Sequence, residues 1–161
     1  MHQISIVSEL CQDGTLFDLI VKYGGKGLNE QQVVHIMKDI SRGLLHMHNQ
    51  NPPIAHRDIK VENVLLSNKK FKLCDFGSAS TATLEHNGMT ENAIDEAFEY
   101  YEKYTTMMYR PPEMIDKYKR LPVSTKVDIW VSRLSRELTT VTIADAWLRC
   151  LHIDLRSASV R

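Results

Sequence analysis

The spacing of apolar and polar positions changes along this chain, and each change marks an element. Ile4-Ser5-Ile6-Val7 alternates as a short strand would, with Ile4 and Ile6 on one face. Asp13-Gly14 is a turn signal. Thr15 then caps a short helix carrying Leu16, Phe17, Leu19 and Ile20, which Gly24-Gly25 stops. The strongest helical pattern covers residues 30–48, where Val33, Ile36, Met37, Ile40, Leu44 and Met47 recur at helical spacing. Asn29 and Gln32 form a capping box at its start, and Leu28 and Val33 a hydrophobic staple. Val64-Leu65-Leu66 and Phe71-Lys72-Leu73 read as two strands of a hairpin around Ser67-Asn68-Lys69-Lys70. Residues 75–113 are of mixed polarity. They hold one helical stretch, Glu91–Tyr104, with Ala93, Ala97, Tyr100 and Tyr104 near helical spacing. A loop this long within a domain is usually functional.

Composition narrows the class. With 161 residues, 43% of them hydrophobic, the chain is at most one domain and needs no disulfide or metal on grounds of size. Twenty basic and twenty acidic residues cancel, which excludes a generally basic nucleic-acid binder. Cys11, Cys74 and Cys150 are odd in number and widely spaced, so reduced thiols and a cytoplasmic location are expected. The N-terminus has no signal-peptide pattern, and no apolar run reaches the length of a membrane span. The basic residues change in kind along the chain. Residues 1–130 carry 11 Lys and 4 Arg against 17 acids, whereas residues 131–161 carry 5 Arg and no Lys against 3 acids.

The chemistry is concentrated in a few short motifs. His56-Arg57-Asp58-Ile59-Lys60-Val61-Glu62-Asn63 matches the catalytic loop H-R-D-x-K-x-x-N. Asp75-Phe76-Gly77 follows, and Arg110-Pro111-Pro112-Glu113 stands where A-P-E is expected. One such tripeptide would be weak. The loop and the later motifs in the right order make chance agreement very small. The sequence therefore resembles a protein kinase. The implied fold is protein-kinase-like, α+β, represented mostly by the α-rich C-lobe, with the N-lobe and late C-lobe helices missing.

Phosphoryl transfer needs positioning and charge neutralisation more than covalent help. The resemblance implies that Asp58 orients the substrate hydroxyl and that Lys60 sets a positive charge near the transferring phosphoryl group. Asn63 and Asp75 would ligate Mg2+ through hard oxygen atoms. Thr106 would hydrogen-bond Asp58 and Lys60, and with Lys60 it favours Ser/Thr over Tyr specificity. Ser8-Glu9-Leu10-Cys11 resembles the gatekeeper and hinge, whose backbone pairs with the adenine of ATP. Leu65 lies beneath that ring in the family, and Cys74 and Cys11 would line the site as small hydrophobes. Arg57 resembles the arginine that reads activation-segment phosphorylation, with Thr81, Thr83, Thr90, Thr105, Tyr100 and Tyr101 as candidate acceptors. His56 and Phe76 would stack in an apolar spine beside Gly77. Asp128-Ile129-Trp130 resembles the start of a buried helix whose Asp anchors the catalytic loop. Glu113 would pair with an Arg from a later helix. His46 and His48 read as helix-end residues, Tyr100-Tyr101 as exposed aromatics, and Met107-Met108 as packing in the substrate-docking loop.

Glu-Leu-Cys in the hinge, His46-Met47-His48, Pro52-Pro53, the runs His56–Leu66 and Lys72–Ala79, and Tyr109–Ile115 resemble the Numb-associated kinases. That group includes the cyclin-G-associated and adaptor-associated kinases. The resemblance implies phosphorylation of a clathrin-adaptor subunit and a role in endocytosis. It divides the chain into a partial kinase domain, 1–130, and a divergent Arg-rich tail, 131–161, read as disordered or frameshifted. No Gly-rich phosphate loop or V-A-I-K strand precedes the hinge, and Pro111 replaces the Ala of A-P-E. The chain by itself is therefore expected to be inactive. Three readings stay open: a Ser/Thr protein kinase represented by part of its domain, a non-catalytic fragment that competes for partners, and a mis-assembled gene model.

Overall fold

The computed structural model describes residues 5–23, 28–81, 83–86 and 88–131. Helix α1, Leu16–Lys22, starts where the Thr15 hydroxyl accepts a hydrogen bond from the Asp18 amide at 3.0 Å. The Asp18 carboxylate in turn accepts from the Thr15 amide at 2.8 Å, completing a capping box. Helix α2, Glu30–His48, opens with the predicted box between Asn29 and Gln32, both bonds at 2.9 Å. Leu28 and Val33 are both buried, as a staple requires. The expected stripe Val33, Ile36, Ile40, Leu44 and Met47 forms the buried face of α2.

Strands β1, Val64–Ser67, and β2, Lys70–Leu73, pair antiparallel, with Leu65 opposite Lys72 and Ser67 opposite Lys70. Asn68 and Lys69 both take positive φ, 51° and 61°, which is the backbone of a type I′ turn. Alternation gives the hairpin two different faces. Val64, Leu66, Phe71 and Leu73 pack into the core with α1 and α2, whereas Leu65, Ser67 and Lys72 share the opposite face. Helix α3 spans Glu91–Tyr104, and a further helix begins at 126.

Two apolar clusters carry the fold. The first joins Leu16, Leu28, four residues of the α2 stripe (Val33, Ile36, Ile40 and Leu44), Ile59, Val61, Val64, Phe71, Tyr109 and Val131. The second joins Ala55, Ile94, Phe98, Tyr101, Met114, Val123 and Val127. Residues 56–63 run along the seam, since Ala55 belongs to one cluster and Ile59 and Val61 to the other.

Four expectations are corrected. Residues 5–7 form no strand, and Ile6 and Val7 are almost fully exposed, because no neighbouring strand among the described residues pairs with them. Helix α3 buries Ile94, Phe98 and Tyr101, a face turned by about one residue from Ala93, Tyr100 and Tyr104. The bulky side chains, with the larger transfer energy, point inward. Tyr101 is thus fully buried, and Tyr100 alone of the pair is exposed. Met107 is 73% exposed and does not pack. Ile4, the Gly24-Gly25 stop and the tail beyond Val131 lie outside the described residues.

Candidate active site

Asp128 organises the loop from below. It is completely buried, and its Oδ2 accepts the His56 amide at 2.9 Å while its Oδ1 accepts the Arg57 amide at 2.9 Å. The His48 ring lies 2.8 Å from the same Oδ2, so the end of α2 and the loop share one carboxylate. Arg57 takes φ 70°, a left-handed conformation that disfavours a long side chain, and the bond to Asp128 holds it there. The Arg57 guanidinium lies 5.9 Å from the centre of the buried Tyr101 ring, tying the loop to α3.

This anchoring presents Asp58 in a fixed pose. Its Oδ1 accepts the Thr106 amide at 2.8 Å. Its Oδ2 meets Lys60 Nζ at 3.0 Å and Asn63 Nδ2 at 3.2 Å. Lys60 Nζ also donates to Thr106 Oγ1 at 3.0 Å, and Asn63 Nδ2 to the Asp58 carbonyl at 2.9 Å. Burial pushes the Asp58 carboxyl up, but the hydrogen bonds from Lys60 and Thr106, with the Lys60 charge, outweigh it and hold the group below its usual range. Asp58 is therefore an ionised acceptor with a braced position, able to orient a hydroxyl that reaches it.

The hairpin brings the second half of the site alongside. The Cys74 amide donates to the Asn63 carbonyl at 3.0 Å, continuing the ladder past Val64–Leu73. Asn63 and Asp75 thus stand one residue apart across the open end of the hairpin. Asp75 is exposed, has φ 58°, and accepts the Gly77 amide at 3.2 Å. A carboxylate and an amide oxygen source at such an opening suit a hard divalent cation. The Asp58 amide donates to His56 Nδ1 at 3.4 Å, so the opposite nitrogen, 3.0 Å from the Cys74 carbonyl, carries the proton. The His56 and Phe76 rings meet at 5.3 Å, as expected, although Phe76 remains 55% exposed.

The predicted hinge residues Ser8, Glu9 and Leu10 are exposed and Cys11 half-buried. Glu9 grips Lys72 Nζ through both oxygens at 2.6 Å. Leu65 pairs across from Lys72, on the side where Cys74 follows. Burial, then the neighbouring Asp75 and Cys11, push the Cys74 thiol up, in keeping with a protonated apolar liner. Glu113 is half-buried at the start of the single turn Pro112–Met114 and makes no ion pair among the described residues. Of the candidate phosphate acceptors, Thr81, Thr83, Thr90 and Tyr100 are exposed, whereas Thr105 and Tyr101 are buried.

Sequence reasoning missed several parts. His48 is not a loose helix end but a partner of Asp128, 80 positions away. Arg110 closes the C-terminal end of α3 by donating to Thr105 Oγ1 at 2.7 Å, the Thr105 carbonyl at 2.8 Å and the Glu102 carbonyl at 2.9 Å. The contacts of Lys72 with Glu9 and of Tyr101 with Arg57 were also not foreseen. No motif names the partners of these four residues, so only the fold shows them.

The family model for the protein kinase domain matches residues 1–134. The chain belongs to the protein kinase domain family. Over 131 residues this kinase chain is 39% identical to a probable serine/threonine-protein kinase of Dictyostelium discoideum, covering 80% of this chain and 16% of that protein. It is 38% identical over 130 residues to actin-regulating kinase 1 of Saccharomyces cerevisiae, covering 80% of this chain and 20% of the relative. It is 37% identical over 136 residues to the yeast actin-regulating kinase PRK1, covering 80% and 16%. The kinase chain spans a fifth or less of the length of these curated relatives. No helix among its described residues is long and apolar enough to cross a membrane.

Proposed function

We propose that this chain carries the catalytic loop of a serine/threonine protein kinase, which transfers the ATP γ-phosphoryl group to a Ser or Thr hydroxyl of a protein. One observation carries the reading: Asp58, Lys60, Asn63 and Thr106 converge around a single ionised carboxylate, from two segments 46 to 48 residues apart. Asp58 orients the acceptor hydroxyl in line and takes up its proton as the bond to phosphorus forms. Lys60, held between Asp58 and Thr106, faces the transferring group with positive charge. The Lys60–Thr106 contact supports Ser/Thr rather than Tyr specificity.

Asn63 and Asp75 would hold Mg2+, which, when bound, neutralises phosphate charge. Ser8 to Cys11 would offer backbone to the adenine edge, with Leu65 and Cys74 beneath it. Arg57 belongs to the loop's support, and its burial against Tyr101 ties loop order to α3.

The finer reading is a kinase of the Numb-associated type acting in the cytoplasm on a clathrin-adaptor subunit. It rests on the hinge and catalytic-loop resemblance. Two yeast relatives are named as actin-regulating kinases.

The test is label transfer from ATP to a protein substrate in the presence of magnesium. Transfer that disappears in Asp58→Asn is the expected result. Equal label with the wild-type chain and with Asp58→Asn, including no label with either, removes catalysis from this polypeptide and leaves partner binding as its role.

A further inference from the structure

Residues 5–12 carry the hinge reading, yet they have no regular secondary structure, and Ile6, Val7 and Leu10 are 75% to 95% exposed. Among the described residues, no backbone hydrogen bond joins this segment to the rest of the fold. Among the described residues, the hydrogen bonds that reach it run through one side chain. Glu9 takes Lys72 Nζ with both carboxylate oxygens at 2.6 Å, and the Ser67 hydroxyl donates to Glu9 Oε1 at 3.5 Å.

The place where Glu9 lands is informative. In an antiparallel pair, directly opposed residues and residues two apart share a face. Leu65, Ser67 and Lys72 therefore lie on one face of the hairpin, and Cys74 continues it beyond the last pair. That is the face assigned to the floor of the adenine site. Hydrogen bonding to Lys72 draws the Glu9 carboxyl down, and the same contact draws the Lys72 ammonium up, so each favours the charged form of the other.

We infer that the Glu9–Lys72 pair is a clasp that positions segment 8–11 over Leu65 and Cys74 for an adenine nucleotide. This inference rests on the nucleotide reading above. Neither side chain touches the reacting atoms, so both act as positioning residues. A clasp made of two partly exposed charges acts on binding of the base and leaves the phosphoryl-transfer step alone. Its contribution is modest, about two- to fivefold in nucleotide affinity, as for exposed ion pairs. It is also sensitive to ionic strength, because salt screens exposed charges.

Two measurements on the full 161-residue chain test it, using Glu9→Ala, Lys72→Ala and the charge swap Glu9→Lys with Lys72→Glu. The first is the rate of limited proteolysis within residues 5–12, because amides without hydrogen bonds exchange fast with or without the clasp. The second is direct titration with MgATP at low and high salt. The expected result is faster cleavage in both single variants, with MgATP affinity two- to fivefold weaker at low salt. The difference should shrink at high salt, and the swap should return affinity to within about twofold of wild type. Single variants that bind MgATP as tightly as wild type at low salt overturn the positioning role. Unchanged cleavage within residues 5–12 overturns the clasp itself. If the wild-type chain binds no MgATP but Lys72→Ala still loosens the segment, the nucleotide reading falls while the clasp stands as a purely structural tether.

Discussion

Replacing Asp128 by Asn isolates the support beneath the catalytic loop. The native carboxylate accepts from two backbone amides at 2.9 Å each and meets His48 at 2.8 Å, in a site with no solvent access. Asn is nearly the same size but has a single oxygen. Its best orientation keeps that oxygen toward His56 and His48 and turns the NH2 group toward the Arg57 amide. Two donors then face each other. Leaving the Arg57 amide unsatisfied costs about 1–3 kcal/mol, and changing two charged acceptor bonds to neutral ones costs about 1 kcal/mol each. The total, about 3–5 kcal/mol, corresponds to roughly two to four orders of magnitude in the opening equilibrium of the loop. It acts where Arg57 already holds an unfavourable positive φ, so the backbone has a reason to relax once released. The assay is amide exchange over residues 55–63, compared with an exposed control, Glu99→Gln. Asp128→Ala should open the loop most, Asp128→Asn next and His48→Ala least, since His48 supplies only one contact. Exchange over 55–63 that stays within about threefold of wild type in Asp128→Asn would refute the argument.

Three further outcomes are expected. Phe98→Ala should cost about 3–5 kcal/mol by opening a cavity in the second cluster, whereas Glu99→Ala on the exposed side should change stability by less than about 0.5 kcal/mol; denaturant titration of both variants checks which face of α3 is buried. Asp58 is held below its ordinary value of 3.8, so its contribution to stability is fully present above that value and is lost as pH falls through the lower folded-state value. Stability curves of wild type and Asp58→Asn should therefore converge only in that acidic window, and a gap that closes near neutral pH would contradict the assignment. Phosphate acquired by the activation segment should map by mass spectrometry to Thr81, Thr83, Thr90 or Tyr100 and not to Thr105 or Tyr101, which are buried; modification of Tyr101 in the folded chain would show that α3 detaches.

Much of this protein is local, and local features were legible. The α2 stripe, its capping box, the hairpin and the bounds of α3 all follow from spacing and from side chains that bond to backbone a few residues away. The catalytic loop was legible for a different reason. The proposed chemistry needs an acidic residue, a basic residue and an amide at fixed short intervals, and Asp58, Lys60 and Asn63 keep those intervals in the chain. The face of α3 was not legible, because small and aromatic residues fit either of two adjacent stripes, and only packing against Met114, Val123 and Val127 selects Ile94, Phe98 and Tyr101.

The amino-acid order by itself determined which residues could do the chemistry and the helices and turns that carry them. Tertiary structure decided how those residues are held: His48 on Asp128, Tyr101 against Arg57, Thr106 on Asp58 and Glu9 on Lys72. Each of those contacts joins positions 44 to 80 residues apart. Their energy depends on burial and direction, which exist only once two apolar clusters have closed on either side of the loop.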